Sequence, residues 1–439
     1  MTSAINVRKD LNKMAIPLIA QSLTSIFFSV FSQIIVGRTN IDTFTAVNAI
    51  NAIIYILLGF SGYFGVAFQI KMANLHDSER NEKMSNYFCA SFIMSLFIGL
   101  VFLIIGGFFG KLIISNYFGF NGNLLNKTYT FSLFTCIYFV IQMIIFVFNG
   151  YYRLIKKTKV MFIASLLSMI VDAISTVLFV IVFNMDVIGF GVSLILSTLI
   201  YLCVYIIEAI KLKDLYFKKF TFNEIKEIVN ITLPLIIQEF LDNTLFILLF
   251  NSLVAHISPL IYASYLLVNN IISYLNLPTF MYGSSLLTFV GEEHAKKNII
   301  KIKKYTVTSL KIVCTIFIVG ILFILLFKTP IIGIFSDQVN IINQTKEILL
   351  IILFSQILHP VWQIYKYSVQ GFGEGKQLII PTLIINLIAI TFLYLGVYIL
   401  NLNINFACIG LFLNFLLLSI WFNRLYNKQL IKMAISKTS

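Results

Sequence analysis

The 439 residues are 59% hydrophobic and 11% charged, with a mean hydropathy of +0.93, values that exclude a soluble globular domain. The formal net charge of +14 would suit nucleic acid if it were gathered into a patch, but the lysines and arginines fall mostly in the loops between apolar runs. Those runs are roughly 20 to 30 residues long, not ten-residue alternating strands, so the composition predicts an all-α polytopic membrane protein in contact with the lipid bilayer and not with nucleic acid.

Hydropathy places twelve helices near residues 14–37, 45–70, 87–114, 128–152, 160–183, 187–210, 228–254, 259–290, 305–328, 347–370, 378–400 and 406–426. The first carries Pro17 and is too long for a cleavable signal peptide, so it reads as an uncleaved span. Cys89, Cys136, Cys203, Cys314 and Cys408 are scattered singly through apolar segments, without the spacing of disulfides or metal ligands. The fifth span, SLLSMIVDAISTVLFVI, holds Asp172 near its centre, where an ionisable group is functional by default. Bonding to neighbouring serines is its plainer role. Glu208 lies at a helix end and can snorkel.

The connection from Lys211 to Glu227 divides the chain into an amino-terminal six-helix lobe (1–210), a linker (211–227), a carboxyl-terminal six-helix lobe (228–426) and a tail (427–439). IPLIAQ at Ile16–Gln21 and LPLIIQ at Leu233–Gln238 agree at four of six positions with an offset of 217 (233 − 16). The same offset superposes Ala46 on Ala263 and Lys159 on Lys376. Six is even, so both halves enter the membrane the same way round. They are expected to be related by a pseudo-two-fold axis along the membrane normal, with the substrate site between them.

The seventh span, IVNITLPLIIQEFLDNTLFILLFNSLV, buries two acids, Glu239 and Asp242. Each costs roughly 2.5 to 3.5 kcal/mol at the centre of an inserted helix, and no basic residue of the span can pair with them. At 100° per residue Gln238, Glu239, Asp242 and Asn243 fall in a wedge of about 140°, which marks one polar face of a working cavity. The i, i+3 spacing brings the carboxylates too close for both to stay ionised in a dry cavity without a cation. They are expected to share a proton, or to hold a sodium ion or a cationic substrate. The eighth and tenth spans carry Pro278 and Pro360 away from their first turn, so kinks are expected there. His359, beside Pro360, is either a kink histidine bonded to a freed carbonyl or part of a site.

Counting Lys and Arg on alternating sides gives 27 on the side of both termini and 5 on the other, so both termini are expected in the cytoplasm. No Walker A sequence occurs: the nearest glycine cluster, GFGEGK at Gly371–Lys376, lacks the spacing and follows a membrane helix. The four histidines form no HExxH and no catalytic set can be assembled, so an enzyme is not expected. Secondary transport of a small molecule, driven by an ion gradient, is the expectation that remains.

IPLIAQSLTSIFFSVFSQIIVGR in the first span, QGFGEGK after the tenth and the six-plus-six duplication together resemble the multidrug and toxin extrusion (MATE) family, within the larger group that includes lipid-linked oligosaccharide flippases. The likeness covers nearly the whole chain. It implies an alternating-access exporter in the plasma membrane, working as a monomer and exchanging an organic cationic or amphipathic solute for H⁺ or Na⁺, without another cofactor. Asp242, eight residues after Pro234, matches the acidic position of the family's seventh helix. Asp172, with Ser168 four before it, resembles the fifth-helix Asn-x-x-Leu-Asp pattern, with serine for asparagine. Ser32 stands where the family usually has a first-helix aspartate, and the acidic position of some tenth helices falls near His359. The resemblance implies ion or substrate sites at Asp242 in one lobe and Asp172 in the other; the polar wedge adds Glu239, Gln238 and Asn243, with His359 from the tenth span, and sodium is an option at any of the three acids. On this reading Asp242→Asn should fold and lose coupling. A flippase for a lipid-linked precursor is the alternative; it would need a strongly cationic cavity, whereas the deep ionisable groups recognised here are acidic.

Overall fold

In the computed structural model, which describes residues 2–213, 215 and 220–438, every regular element is helical among the described residues. In hydrocarbon each backbone N–H and C=O must be paired within its own segment, and apolar runs of this length can do so only as helices. Twelve are long and apolar enough to cross a membrane. They are α1 (Asn6–Gly37), α2 (Ile41–Ala73), α3 (Asp77–Phe118), α4 (Gly122–Leu154), α5 (Thr158–Val182), α6 (Asp186–Leu212), α7 (Phe222–Ile257), α8 (Pro259–Ala295), α9 (Ile299–Leu326), α10 (Val339–Gly371), α11 (Lys376–Ile399) and α12 (Ile404–Ser436). A short helix, Lys328–Phe335, follows α9.

The chain forms two compact units, one of residues 16–72 and 77–232 and the other of residues 1–15, 73–76 and 233–439. Part of the linker expected at 211–227 lies outside the described residues. The first unit, the amino lobe, packs α4 against α2, α3 and α6, and α5 against α6. Its core is aromatic: Phe148, Tyr151, Tyr152 and Tyr205 are buried, and successive ring centroids lie 4.8–6.4 Å apart. In the second unit, the carboxyl lobe, the second half of α10 packs against α8, α9 and α12.

The duplication is written in the backbone. α5 ends in a π-helical turn at Val177–Val182 and α11 in another at Leu395–Ile399. Phe183 N–H donates to Leu178 O and Met185 N–H to Phe179 O, each at 2.9 Å; 217 positions on (400 − 183), Leu400 donates to Leu395 O and Leu402 to Gly396 O at 3.1 and 2.9 Å. The turn then needs a left-handed residue, and both copies supply asparagine, Asn184 (φ 51°) and Asn401 (φ 52°), the non-glycine type that visits this region most readily. At the helix contact beside each turn the small residue has changed sides. A Cβ on Gly189 would lie 3.0 Å from the Phe179 backbone, whereas in the carboxyl lobe the glycine is Gly396 and Phe406 fills the space.

The expected break at Pro360 is present. α10 is interrupted at residues 356–358, between Val339–Ser355 and His359–Gly371. Proline then stands in the first turn of the second piece, where its missing N–H leaves no bond unmade. Pro278 behaves differently: Pro259–Ala295 continues through it as one α-helix, although the proline can donate no hydrogen bond there.

Candidate functional site

In the carboxyl lobe α7 does not run as a regular α-helix through its acids. Phe240–Leu245 is a π-helical turn with Asp242 inside it, and such turns leave carbonyls without their usual partner. Asn386 of α11 donates Nδ2–H to the Leu241 carbonyl at 3.0 Å, and Asn414 of α12 donates to Asn386 Oδ1 at 3.0 Å. Three helices thereby hold the turn.

The turn places Gln238 and Asp242 together in the interior and leaves Glu239 half-exposed. Gln238 Nε2 donates to Asp242 Oδ2 and to Thr382 Oγ1 of α11, each at 2.8 Å. The second donor to Asp242 Oδ2 is Lys366 Nζ at 3.0 Å, from the second half of α10, and the two side chains are 3% (Lys366) and 1% (Asp242) exposed. This overturns the expectation of a purely acidic site. No base in α7 itself can pair with Asp242, but α10 delivers one. The loop count had assigned Lys366 to the cytoplasmic side, although it lies within the predicted span 347–370. The ammonium also stands 5.0 Å from the centroid of the Trp362 ring, within reach of a cation–π attraction.

Asp242 borders a cavity of about 190 Å³ contained within this lobe. Phe246, Phe250, Phe280, Trp362 and Phe415 form much of its wall, and Asn269, Ser273, Asn276, Gln356 and His359 supply polar groups. His359 is buried, with the rings of Phe280, Trp362 and Phe415 edge-on to it at 5.4–6.0 Å. Among the described residues His359 Nδ1, Trp362 Nε1, Asn276 Oδ1 and Asp242 Oδ1 have no hydrogen-bond partner. Buried polar atoms are seldom left so, and four of them belong to residues around one cavity. At Asp242 an ammonium and an amide N–H occupy Oδ2, while Oδ1 stays unpartnered among the described residues. The side chain of Asn243 lies outside the described ones.

The amino lobe arranges its acid differently. Asp172 is partly buried on α5; Ser197 Oγ of α6 donates to its Oδ1 at 3.3 Å, and Ser168 Oγ donates to the Ser197 carbonyl at 2.8 Å. Nearby, Gln21 Nε2 donates to Tyr201 OH at 2.9 Å, and Tyr205 OH donates to Asn149 Oδ1 at 2.6 Å. Gln21 is the repeat counterpart of Gln238 (238 − 217). By the same offset Asp242 corresponds to Ser25 and Lys366 to Asn149. The carboxylate and the ammonium are thus both replaced by neutral residues in the other lobe.

Comparison with known proteins decides the family, because the MatE family model matches residues 17–178 and again 234–395. The chain belongs to the MATE family. The two matches are equal in length and 217 residues apart (234 − 17), the offset found in the sequence and in the backbone. Among relatives, a multidrug export protein MepA of Staphylococcus saprophyticus is 21% identical over 409 residues, which are 89% of this chain and 87% of that protein. Solved structures with the same fold include a MOP-superfamily transporter of Pyrococcus furiosus, described as having a binding pocket of reversed polarity that suggests a different function. It is 17% identical with a TM-score of 0.86, covering 98% of this chain and 97% of that one. An outward-facing multidrug resistance MATE transporter is 18% identical with a TM-score of 0.87, covering 97% and 96%. This MATE chain is therefore a multi-pass membrane transporter of two six-helix lobes.

Proposed function

We propose that this MATE protein exports a small organic cation across the plasma membrane by alternating access, in exchange for protons. The observation that carries the reading is the carboxyl-lobe cavity, with aromatic walls and the Asp242 carboxylate at its edge. Aromatic faces and a carboxylate are the groups that hold an alkylammonium, through cation–π and ionic attraction. Family membership and the multidrug export activity named for the Staphylococcus relative agree with it. Proton coupling is favoured over sodium because the acid that could coordinate a metal is already bonded to Lys366 and Gln238. Asp172, held by Ser197, is assigned a secondary role in the amino lobe. With Lys366 buried inside α10, the loop count becomes 26 to 5 (27 − 1), and this asymmetry supports cytoplasmic positions for both termini.

The test is transport by purified protein in vesicles. Tetraethylammonium should accumulate when the lumen is acidic, with neither ATP nor a sodium gradient supplied. Accumulation that required ATP, or that followed only a sodium gradient, would sink the proposal.

A further inference from the structure

We propose that Lys366 is the proton carrier of the carboxyl lobe. Its ammonium holds the place of the transported cation on Asp242, and it departs as a neutral amine when an organic cation takes that carboxylate. The inference rests on the cation-for-proton reading above and deepens it by moving the titrating proton from a carboxyl group to an amine.

The Tyr367 ring lies 5.9 Å from the Lys366 ammonium, and the two nearer groups that stabilise this charge are the Asp242 carboxylate at 3.0 Å and the face of Trp362 at 5.0 Å. Both also line the cavity. A cation entering there competes for the same carboxylate and the same indole. Asp242 Oδ1, unpartnered among the described residues, offers the first contact. Two positive charges cannot share one carboxylate in a site this dry, and a lysine deprived of its counter-ion is the one that can neutralise itself. The step balances: one N–H bond of the Lys366 ammonium breaks and its proton passes to water, while the carboxylate stays ionised and exchanges an ammonium for the organic cation. Net charge at the site is unchanged. Return of a proton to the amine restores the pair and expels the cation.

The surrounding groups bear on this exchange. Asp242 and Glu239 of α7 act electrostatically on Lys366, as do Tyr367 and His359 of its own helix. The packed helices bring Gly283 against Tyr367, Thr306 against Ser368 and Tyr426 against Tyr365, all uncharged near neutral pH. The repeat adds an independent argument: Ser25 and Asn149 replace both members of the pair in the amino lobe, so acid and amine occur as a unit where the aromatic cavity is, and are absent together from the other copy.

The deciding experiment measures proton release when tetraethylammonium binds to the purified full-length protein in weakly buffered solution. The probe is permanently charged, so any proton comes from the protein. Wild type should release one proton per cation bound. Lys366→Arg keeps a charge that can pair with Asp242 but cannot lose its proton, so it should show weaker binding and loss of the release. An infrared difference spectrum of the wild type provides a check that needs no variant: binding should remove no protonated-carboxyl C=O band. If Lys366→Arg releases the wild-type proton, or if that band disappears on binding, the inference falls while the exporter reading stands. If wild type binds no tetraethylammonium, or binds it without releasing a proton, both fall.

Discussion

At the scale of single residues, the Asp242–Lys366 pair changes what a substitution at Asp242 should do. An isolated acid could become asparagine with its fold intact, since size and hydrogen bonding are kept. A paired one leaves Lys366 buried without its counter-ion. Removing one partner of a buried ion pair costs about 3–5 kcal/mol, whereas replacing both by neutral groups is often close to neutral. Asp242→Asn is therefore expected to lower thermal stability by that order, and Asp242→Asn with Lys366→Met to recover most of it. Thermal unfolding of the three proteins in detergent measures this. Equal losses in the single and double variants would mean that the pair is not the source. The sequence made Asp242, Gln238 and His359 legible because a polar residue deep in an apolar run stands out by itself. Lys366, near the end of the predicted tenth span, does not stand out in the same way, because a charge near a helix end is counted with the loop. Only packing shows that this one turns inward.

At the scale of elements, the departures from regular helix are what position the site. The π-helical turn at Phe240–Leu245 brings Gln238 and Asp242 to one spot, and the break before Pro360 lets His359 begin a new helix at the cavity wall. The turns that close α5 and α11 test the logic of the repeat. In the carboxyl lobe a Cβ on Gly396 would meet the end of the Phe406 ring, which can swing away; in the amino lobe a Cβ on Gly189 would press on the Phe179 backbone, which cannot. Overpacking of this kind costs about 1–3 kcal/mol. Gly189→Val and Gly396→Val should both destabilise, and Phe406→Ala should relieve only the latter. Melting temperatures decide it, and rescue failing at Gly396 would show that the contact is not what limits the turn. Proline positions were readable in the sequence. π-helical turns were not, because no residue type demands one; they arise where neighbouring helices supply groups such as Asn386 to take the released carbonyl.

At the scale of the whole molecule, the topology is testable without knowing the substrate. Lys157, between α4 and α5, and Asp337, between α9 and α10, are both exposed and are placed on opposite sides by the charge count. On a cysteine-free background, Asp337→Cys should react with an impermeant thiol reagent added outside intact cells, and Lys157→Cys should react only after permeabilisation. The reverse pattern would invert the protein in the membrane.

Class, span count and duplication could be read from the chain alone, because hydrophobic length is set by bilayer thickness and a repeat leaves its offset in the residues. The value of 217 recurs in the IPLIAQ and LPLIIQ segments, in the left-handed Asn184 and Asn401, and in the two family matches. The charge balance of the site was decided by tertiary structure. Asp242 and Lys366 are 124 residues apart in sequence, and no local pattern encodes a contact between α7 and α10. Which lobe holds the cavity was likewise a matter of packing, since Phe246, Trp362 and Phe415 are unremarked apolar residues until three helices bring their rings around His359 and Asp242.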